Sequence, residues 1–331
     1  MTNVLVLDPG YGNTKVCFNG QTASIQSAVA RPQSVGLAAI GMKTASQVKL
    51  VRLDGYEFAI GPGTWHWGNL LTSRDYSALA SPERRALAFG TIASLLHPGR
   101  QDVDLMVVGL PVPLLQDTIQ AEAVMGGLKA YKGTHCFSVD GQEYQLNIGR
   151  LKVLPQPVGA YADWLLDASE SPKLDSLAPA VPALRVRKNG RQAEVAVLDL
   201  GMNTLDLYVI QDGKVSPRFI GGDKVGVRRL LELLTGNGHE PEELDARLRA
   251  GRLHPTQSQM ESWLGEVLAA VERVWPQLRR FDAVIPTGGG AIVMGDLLSM
   301  ALIAKGAAVY WPQDPIAANV RGLWKWGIHG S

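Results

Sequence analysis

Cysteine, net charge and long apolar runs are all scarce in this sequence. Two cysteines, Cys17 and Cys136, stand in 331 residues. They cannot build a disulfide framework or a four-cysteine zinc site, and they suit a reducing, cytoplasmic compartment. Thirty-two Lys+Arg face 31 Asp+Glu, for a net charge of +1. A chain so balanced is not expected to coat nucleic acid or an anionic membrane. No stretch approaches the roughly 18 uninterrupted apolar residues of a membrane helix. Met1-Thr2-Asn3 runs directly into Val4-Leu5-Val6-Leu7, without the basic and apolar regions of a secretory signal. The six histidines are scattered, without metal-ligand spacing.

Familiar motifs are missing too. There is no G-x-x-x-x-G-K-[ST], no G-x-S-x-G and no H-E-x-x-H. Ser46-x-x-Lys49 fits S-x-x-K but lacks its companion motifs. Gly10-x-Gly12-x-x-Lys15 falls short of the dinucleotide fingerprint. No helix pattern follows it, and no Asp or Glu lies between Asp8 and Asp54 to hold a ribose.

Glycine is what the chain has in excess: 36 residues, about one in nine, against an average of roughly 7%. With 46% hydrophobic residues the composition is globular, and at roughly 150 residues per domain the length predicts two domains. Strands are expected at 4–7, 14–18, 105–108 and 205–210, with alternating strand character over 131–154. Asn19-Gly20 and Asp140-Gly141 read as hairpin turns. Helices are expected over 82–96, 114–128, 158–166, most of 223–280, from Ala291 onward, and over 316–326. Residues 307–310 read as a last strand. The Ser-, Pro- and Ala-rich segment 168–183 reads as a linker, and 184–198 as a hairpin with a basic tip at 185–191.

Each half carries the same unit. Val4-Leu5-Val6-Leu7-Asp8-x-Gly10 answers Val195-Ala196-Val197-Leu198-Asp199-x-Gly201. In both, an apolar strand ends in Asp-x-Gly, a polar turn follows, and a strand returns. Such a turn can gather backbone N–H groups that bind phosphate oxygens. A carboxylate beside phosphate repels it unless a hydrated Mg²⁺ bridges the two. Asp8 and Asp199 are therefore candidate Mg²⁺ holders, through water. Lys15, on the return strand, can neutralise phosphate charge.

Five segments resemble the actin superfamily of ATPases, and in particular the bacterial ParM/StbA plasmid-segregation actins. Asp8-Pro9-Gly10-Tyr11-Gly12-Asn13-Thr14-Lys15 is similar to the first phosphate loop. Leu154-Pro155-Gln156-Pro157-Val158-Gly159-Ala160 is similar to the first connecting helix. Asp199-Leu200-Gly201-Met202-Asn203-Thr204-Leu205-Asp206 is similar to the second phosphate loop, Thr287-Gly288-Gly289-Gly290-Ala291 to the adenosine motif, and Asp314 to Gly322 to the second connecting segment.

The resemblance implies an α/β protein of two actin-like (ribonuclease H-like) domains with a nucleotide cleft between them. The first would span 1–160, with a final helix at 315–331 packing back on it, and the second 161–314. It implies ATP and Mg²⁺ as cofactors. Gln156 would orient the lytic water, with Asp8 and Asp199 as the other catalytic and metal-holding residues. The nucleotide would meet Gly10, Tyr11, Gly12, Asn13 and Lys15 on one side. On the other it would meet Gly201, Met202, Asn203 and Thr204, with Gly222 and Asp223 near the ribose and Gly288, Gly289, Gly290 and Ala291 at the base. The family loop commonly reads Asp-Leu-Gly-Gly-Thr-Thr, so Met202 and Asn203 are departures that bear on hydrolysis rate. The implied activity is ATP hydrolysis coupled to head-to-tail filament assembly for plasmid segregation. DNA would be reached through an adaptor protein rather than directly, as the near-neutral charge also suggests, and no membrane is involved.

Two other roles remain open in the same superfamily. A sugar-type kinase would need a carboxylate to deprotonate a hydroxyl, and only Asp163 and Asp167 suggest themselves. A non-polymerising regulatory ATPase is the other. Trp65 and Trp67 follow Gly61-Pro62-Gly63 and mark a loop suited either to the core or to an interface.

Overall fold

The computed structural model describes residues 2–32, 48–71, 76–166, 193–234 and 241–329. The linker at 168–183, the basic tip at 185–191 and Asp167 lie outside them. By internal contacts the chain forms two compact units. Unit 1 comprises 1–108, 118–153 and 239–253, and unit 2 comprises 109–117, 154–238 and 254–331.

Unit 1 is built on a nine-stranded sheet: β1 (Val4–Pro9), β2 (Asn13–Phe18), β3 (Gln21–Gln26), β4 (Val29–Ala30), β5 (Lys49–Leu53), β6 (Tyr56–Ile60), β7 (Gly99–Leu110), β8 (Gly133–Val139) and β9 (Gln142–Pro155), in the order β3-β2-β1-β7-β9-β8-β5-β6-β4. All six residues of β1 are buried. It pairs antiparallel with β2 and parallel with β7, which explains an apolar run rather than an alternating one. Unit 2 holds β10 (Val195–Leu200), β11 (Leu205–Gln211), β12 (Lys214–Val215), β13 (Gly221–Asp223) and β14 (Ala283–Thr287), in the order β12-β11-β10-β14, with β13 also on β11. Strand β10 repeats the plan of β1: wholly buried, antiparallel to its successor and parallel to a later strand.

Part of the glycine surplus lies at hairpin turns. Asn19-Gly20, Asp54-Gly55, Asp140-Gly141 and Asp212-Gly213 all have both φ angles positive, as a two-residue turn that matches strand twist requires. Two of the four were legible as turns in the sequence.

The helices are α1 (Pro82–Ile92), α2 (Val112–Gln116), α3 (Thr118–Leu128), α4 (Gln156–Leu165), α5 (Val227–Leu234), α6 (Pro241–Arg249), α7 (Gln257–Val274), α8 (Gly289–Met294), α9 (Asp296–Ala304) and α10 (Ala318–His329). Ser81 caps α1 by accepting from the Arg84 amide, with Pro82 in the first turn. That helix stops four residues short of the expected end, because Ser94 and Leu95 bond to carbonyls only three residues back. The expected helix over 114–128 is two helices, broken where Asp117 is extended. The expected strand at 307–310 makes only an isolated bridge, Val284 to Val309, and Pro312, which lacks an N–H, follows closely.

In unit 1 the core stacks Phe89 on Phe137 at 5.0 Å and Phe137 on Tyr144 at 5.3 Å. His135 lies against Phe89, with Nε2 2.9 Å from the Tyr131 carbonyl and Nδ1 3.3 Å from Arg85. Burial above all, aided by the Arg85 charge, holds its pKa below the ordinary value. In unit 2, Trp263 and Trp275 are fully buried, and each indole N–H reaches a backbone carbonyl, Val225 at 2.8 Å and Phe219 at 2.9 Å. Cys17 is buried in β2, whereas Cys136 is exposed on β8. Trp65, Trp67, Trp324 and Trp326 are half-buried.

Helices α4 and α10 cross at glycines. A Cβ on Gly159 would lie within 3.0 Å of the Asn319 carbonyl, and one on Gly322 within 3.0 Å of the Gly159 carbonyl. Only hydrogen at both positions lets the two backbones approach so closely. Asp163 locks the pair by bonding Arg321 Nε at 2.7 Å and Lys325 Nζ at 2.9 Å.

Candidate functional site

In unit 1, β1 carries Asp8 to the end of the sheet and β2 brings Lys15 back into register opposite it. Lys15 Nζ lies 2.9 Å from Asp8 Oδ2, with Asp8 only 1% exposed. A carboxylate that deep needs a cation beside it. Gly10 is required by space, since a Cβ would fall 2.6 Å from the Asn13 carbonyl. The loop is braced by Ser27, the residue after β3. Ser27 Oγ donates to the Gly10 carbonyl at 2.6 Å and lies 3.0 Å from Thr14 Oγ1, and the Ser27 amide donates to the Gly12 carbonyl at 3.0 Å. Asn13 is held at both ends of its amide: Nδ2 donates to Ser24 Oγ at 2.7 Å, and Oδ1 accepts from Arg249 Nη1 at 2.6 Å. The Arg84 guanidinium sits 5.7 Å from the Tyr11 ring centre.

In unit 2, β10 delivers Asp199 into register with Asp206 on β11 and Thr287 on β14. Asp199 is 6% exposed, and Asn319 Nδ2 donates to its Oδ2 at 2.7 Å. The following loop closes on itself: the Gly201 amide reaches the Thr204 carbonyl at 2.8 Å, and Thr204 Oγ1 donates to Asp206 Oδ2 at 3.0 Å. Its carbonyls then receive the first turn of α5, Gly201 from Val227 at 3.1 Å and Met202 from Arg228 at 2.8 Å. Neither Met202 nor Asn203 has a positive φ, so the loop accepts a methionine without backbone strain.

The turn after β14 separates the three expected base-contact glycines. Gly288 has φ of 87° and its amide donates to the Pro315 carbonyl at 3.0 Å. A Cβ on Gly290 would strike Leu200 Cγ at 2.6 Å, while one on Gly289 would meet nothing within 4 Å. Packing against β10 thus accounts for Gly288 and Gly290, and Gly289 faces open space. Ala291 is buried. Gly222 is opposite Asp206 on the β13–β11 ladder. The Asp223 carboxylate is taken by Arg273 and by the Lys224 amide.

Gln156 opens α4 between Pro155 and Pro157 and is 7% exposed. Three residues on, Gly159 rests against the Asn319 backbone, whose side chain grips Asp199. One residue of α10 thus joins the glutamine's helix to the aspartate. Asn319 is the residue of this arrangement to which the sequence assigned no role. Ser27 and Arg249 had none either.

The donor set suits a hydrated magnesium ion. No group of three or more His, Cys, Asp or Glu able to hold a metal occurs among the described residues, so no all-protein cage is built. Magnesium is ordinarily held by one or two carboxylates, with waters and phosphates completing its shell. Around Asp199, Asn319 Oδ1 and Thr287 Oγ1 are buried with no hydrogen-bond partner. These are two oxygens able to accept from a metal's waters. Of the two candidate bases for the kinase alternative, Asp163 is bound to Arg321 and Lys325, and Asp167 lies outside the described residues. No helix among the described residues is long and apolar enough to cross a membrane.

Residues 7–159 match the family model described as "Actin like proteins N terminal domain". No curated protein sequence matches the chain. Solved structures do. Apo pSK41 ParM is 18% identical with a TM-score of 0.69, covering 99% of this chain and 97% of that one. An archaeal actin homologue in complex with ADP is 21% identical with a TM-score of 0.69, covering 100% of both chains. A 15-stranded ParM filament from Clostridium botulinum is 14% identical with a TM-score of 0.68, covering 99% of both.

Proposed function

We propose that this chain, an actin-like protein by its fold and by the sequence of residues 7–159, binds ATP with Mg²⁺, hydrolyses it, and assembles head to tail into filaments. The observation that carries the reading is the duplicated unit: two wholly buried strands, each ending in a buried aspartate and a braced glycine turn. The ADP-bound homologue and the ParM filament support it by likeness of fold.

Bound Mg²⁺·ATP would supply the labile phosphoanhydride. The residues of this chain do the rest. Asp8 and Asp199, both buried carboxylates, would hold the metal through its waters. Lys15, which rests on Asp8, would also answer a phosphate bound at the loop. Gln156 orients the attacking water: its amide accepts through Oε1 and donates through Nε2, needing no unusual pKa. Asn319 fixes the rotamer of Asp199. Positioning and charge stabilisation of this kind are most of what phosphoryl transfer needs. A head-to-tail contact is heterologous and open, so it makes a filament rather than a closed pair. Plasmid segregation, with DNA reached through an adaptor protein, is the process this assembly would serve.

The test is sedimentation and light scattering with ATP, with ADP and without nucleotide, alongside phosphate release. Polymer that needs ATP, with phosphate released afterwards, is the expected result. ATP consumption that depends on an added sugar and yields no polymer would overturn the reading.

A further inference from the structure

Unit 1 holds a concave site. Helix α6 docks on the β2–β3 hairpin. Gln26 Nε2 donates to the Glu242 carbonyl at 2.7 Å, and Arg249 pairs with Asp245 at 2.7 Å while reaching Asn13. Beside this clasp lies a cavity of about 700 Å³, bounded by β3, the Gly61-Pro62-Gly63 turn and the end of α6. That size suits a small organic ligand. Of the nucleotide-loop residues, only Asn13 lines it. Asp8, Lys15, Gln156 and Asp199 do not.

The charge of the lining is one-sided. Lys49, Arg249 and Arg252 contribute, and among the described residues no Asp or Glu does. Asp245 answers Arg249. Lys49 and Arg252 pair with no carboxylate among the described residues, and the one side-chain partner of Lys49 is Ser94 Oγ at 2.9 Å. Two unanswered cations in a concave wall raise the local concentration of anions. Trp65 and His66 add flat surface, with ring centres 5.7 Å apart and the indole N–H on His66 Nε2 at 3.0 Å. Gln26, 8% exposed, lines the same cavity and keeps Oε1 without a hydrogen-bond partner.

We propose that this cavity binds a small aryl phosphate, with the phosphate answered by Lys49 and Arg252 and the ring by Trp65, and that occupancy is felt at the first phosphate loop through Arg249 and Asn13. The binding half stands without the ATPase reading. The coupling half rests on it, and by linkage each ligand must change the other's affinity by the same factor.

Equilibrium dialysis of 1-naphthyl phosphate against the full chain tests both halves, run with and without saturating Mg²⁺·ADP. One saturable site per chain is expected. Lys49→Glu and Arg252→Glu should each weaken it at least tenfold while leaving the thermal transition in place. Trp65→Ala should weaken naphthyl phosphate but not inorganic phosphate. A probe that does not saturate, or that binds both charge-reversal variants as it binds the parent, overturns the site. Inorganic phosphate binding as tightly as the naphthyl ester overturns the aromatic half. Equal probe affinity with and without Mg²⁺·ADP, in protein shown separately to bind ADP, overturns the coupling. Protein that binds the probe but no nucleotide would sink the ATPase reading and leave the site standing.

Discussion

Replacing Gly159 with alanine tests the packing on which the candidate site depends. The added methyl would lie inside 3.0 Å of the Asn319 carbonyl oxygen, where ordinary van der Waals contact begins at 3.4 Å. The obstacle is backbone within a helix and has no rotamer by which to retreat. Either α4 and α10 separate or both bend. Overpacking costs about 1–3 kcal/mol, and a rigid obstacle places this site near about 3 kcal/mol. For a unit of this size, about 2–4 °C is lost per kcal/mol, so the melting temperature should fall by about 6–12 °C. Gly265→Ala is the matched control. It lies within α7 with nothing within 4 Å of its added methyl, so relief from glycine's entropy should stabilise by up to about 1 kcal/mol. Thermal unfolding by circular dichroism, read beside calorimetry, measures both. Two variants with the same melting temperature would refute the close-crossing argument. Because the shifted carbonyl belongs to Asn319, Gly159→Ala should also slow phosphate release in whatever folded protein remains.

The other predictions concern chemistry and pH. Gln156→Ala should slow phosphate release at least tenfold while ATP binding persists, and unchanged turnover would remove its water-orienting role. Asp199→Ala should slow release by at least as much. Asn319→Ala should lessen the tightening of nucleotide binding by Mg²⁺, measured as the affinity ratio with and without EDTA, and leave the Mg²⁺-free affinity alone. An unchanged ratio would show that Asn319 only packs. His135 has a lowered pKa in the fold, so the unfolded chain takes up its proton first as pH falls. Its contribution is full above the unfolded value of roughly 6.5 and is lost as pH falls from there through the folded value. His135→Gln should flatten the dependence of urea midpoint on pH between about 7.5 and about 5.5. A slope equal to that of the parent would refute this.

The strands and loops of the candidate site were legible because their signals are local. Val4 to Asp8 and Val195 to Asp199 are apolar runs stopped by Asp-x-Gly, and burial on both faces is what such runs encode. The break at Asp117 was not legible, since one extended residue interrupts an otherwise continuous helical stretch. Asn319 could be placed in a motif but not given a job, because its partner Asp199 lies 120 residues away. The Arg249–Asn13 bond spans 236 residues, and no spacing rule reaches so far. Gly288 and Gly290 are required by the Leu200 they pack on, a neighbour visible only once β10 and β14 are parallel.

Cys136 is exposed while Cys17 is buried, so a native, reduced chain offers one thiol to a maleimide dye. Stoichiometric labelling without mutagenesis follows, one fluorophore per subunit at a known strand position. Photobleaching steps would then count subunits in a growing polymer directly. The same thiol is a hazard in air, because two chains brought side by side at high density can couple through it. Assembly should therefore be followed with reductant present, lest a covalent dimer be mistaken for a nucleus.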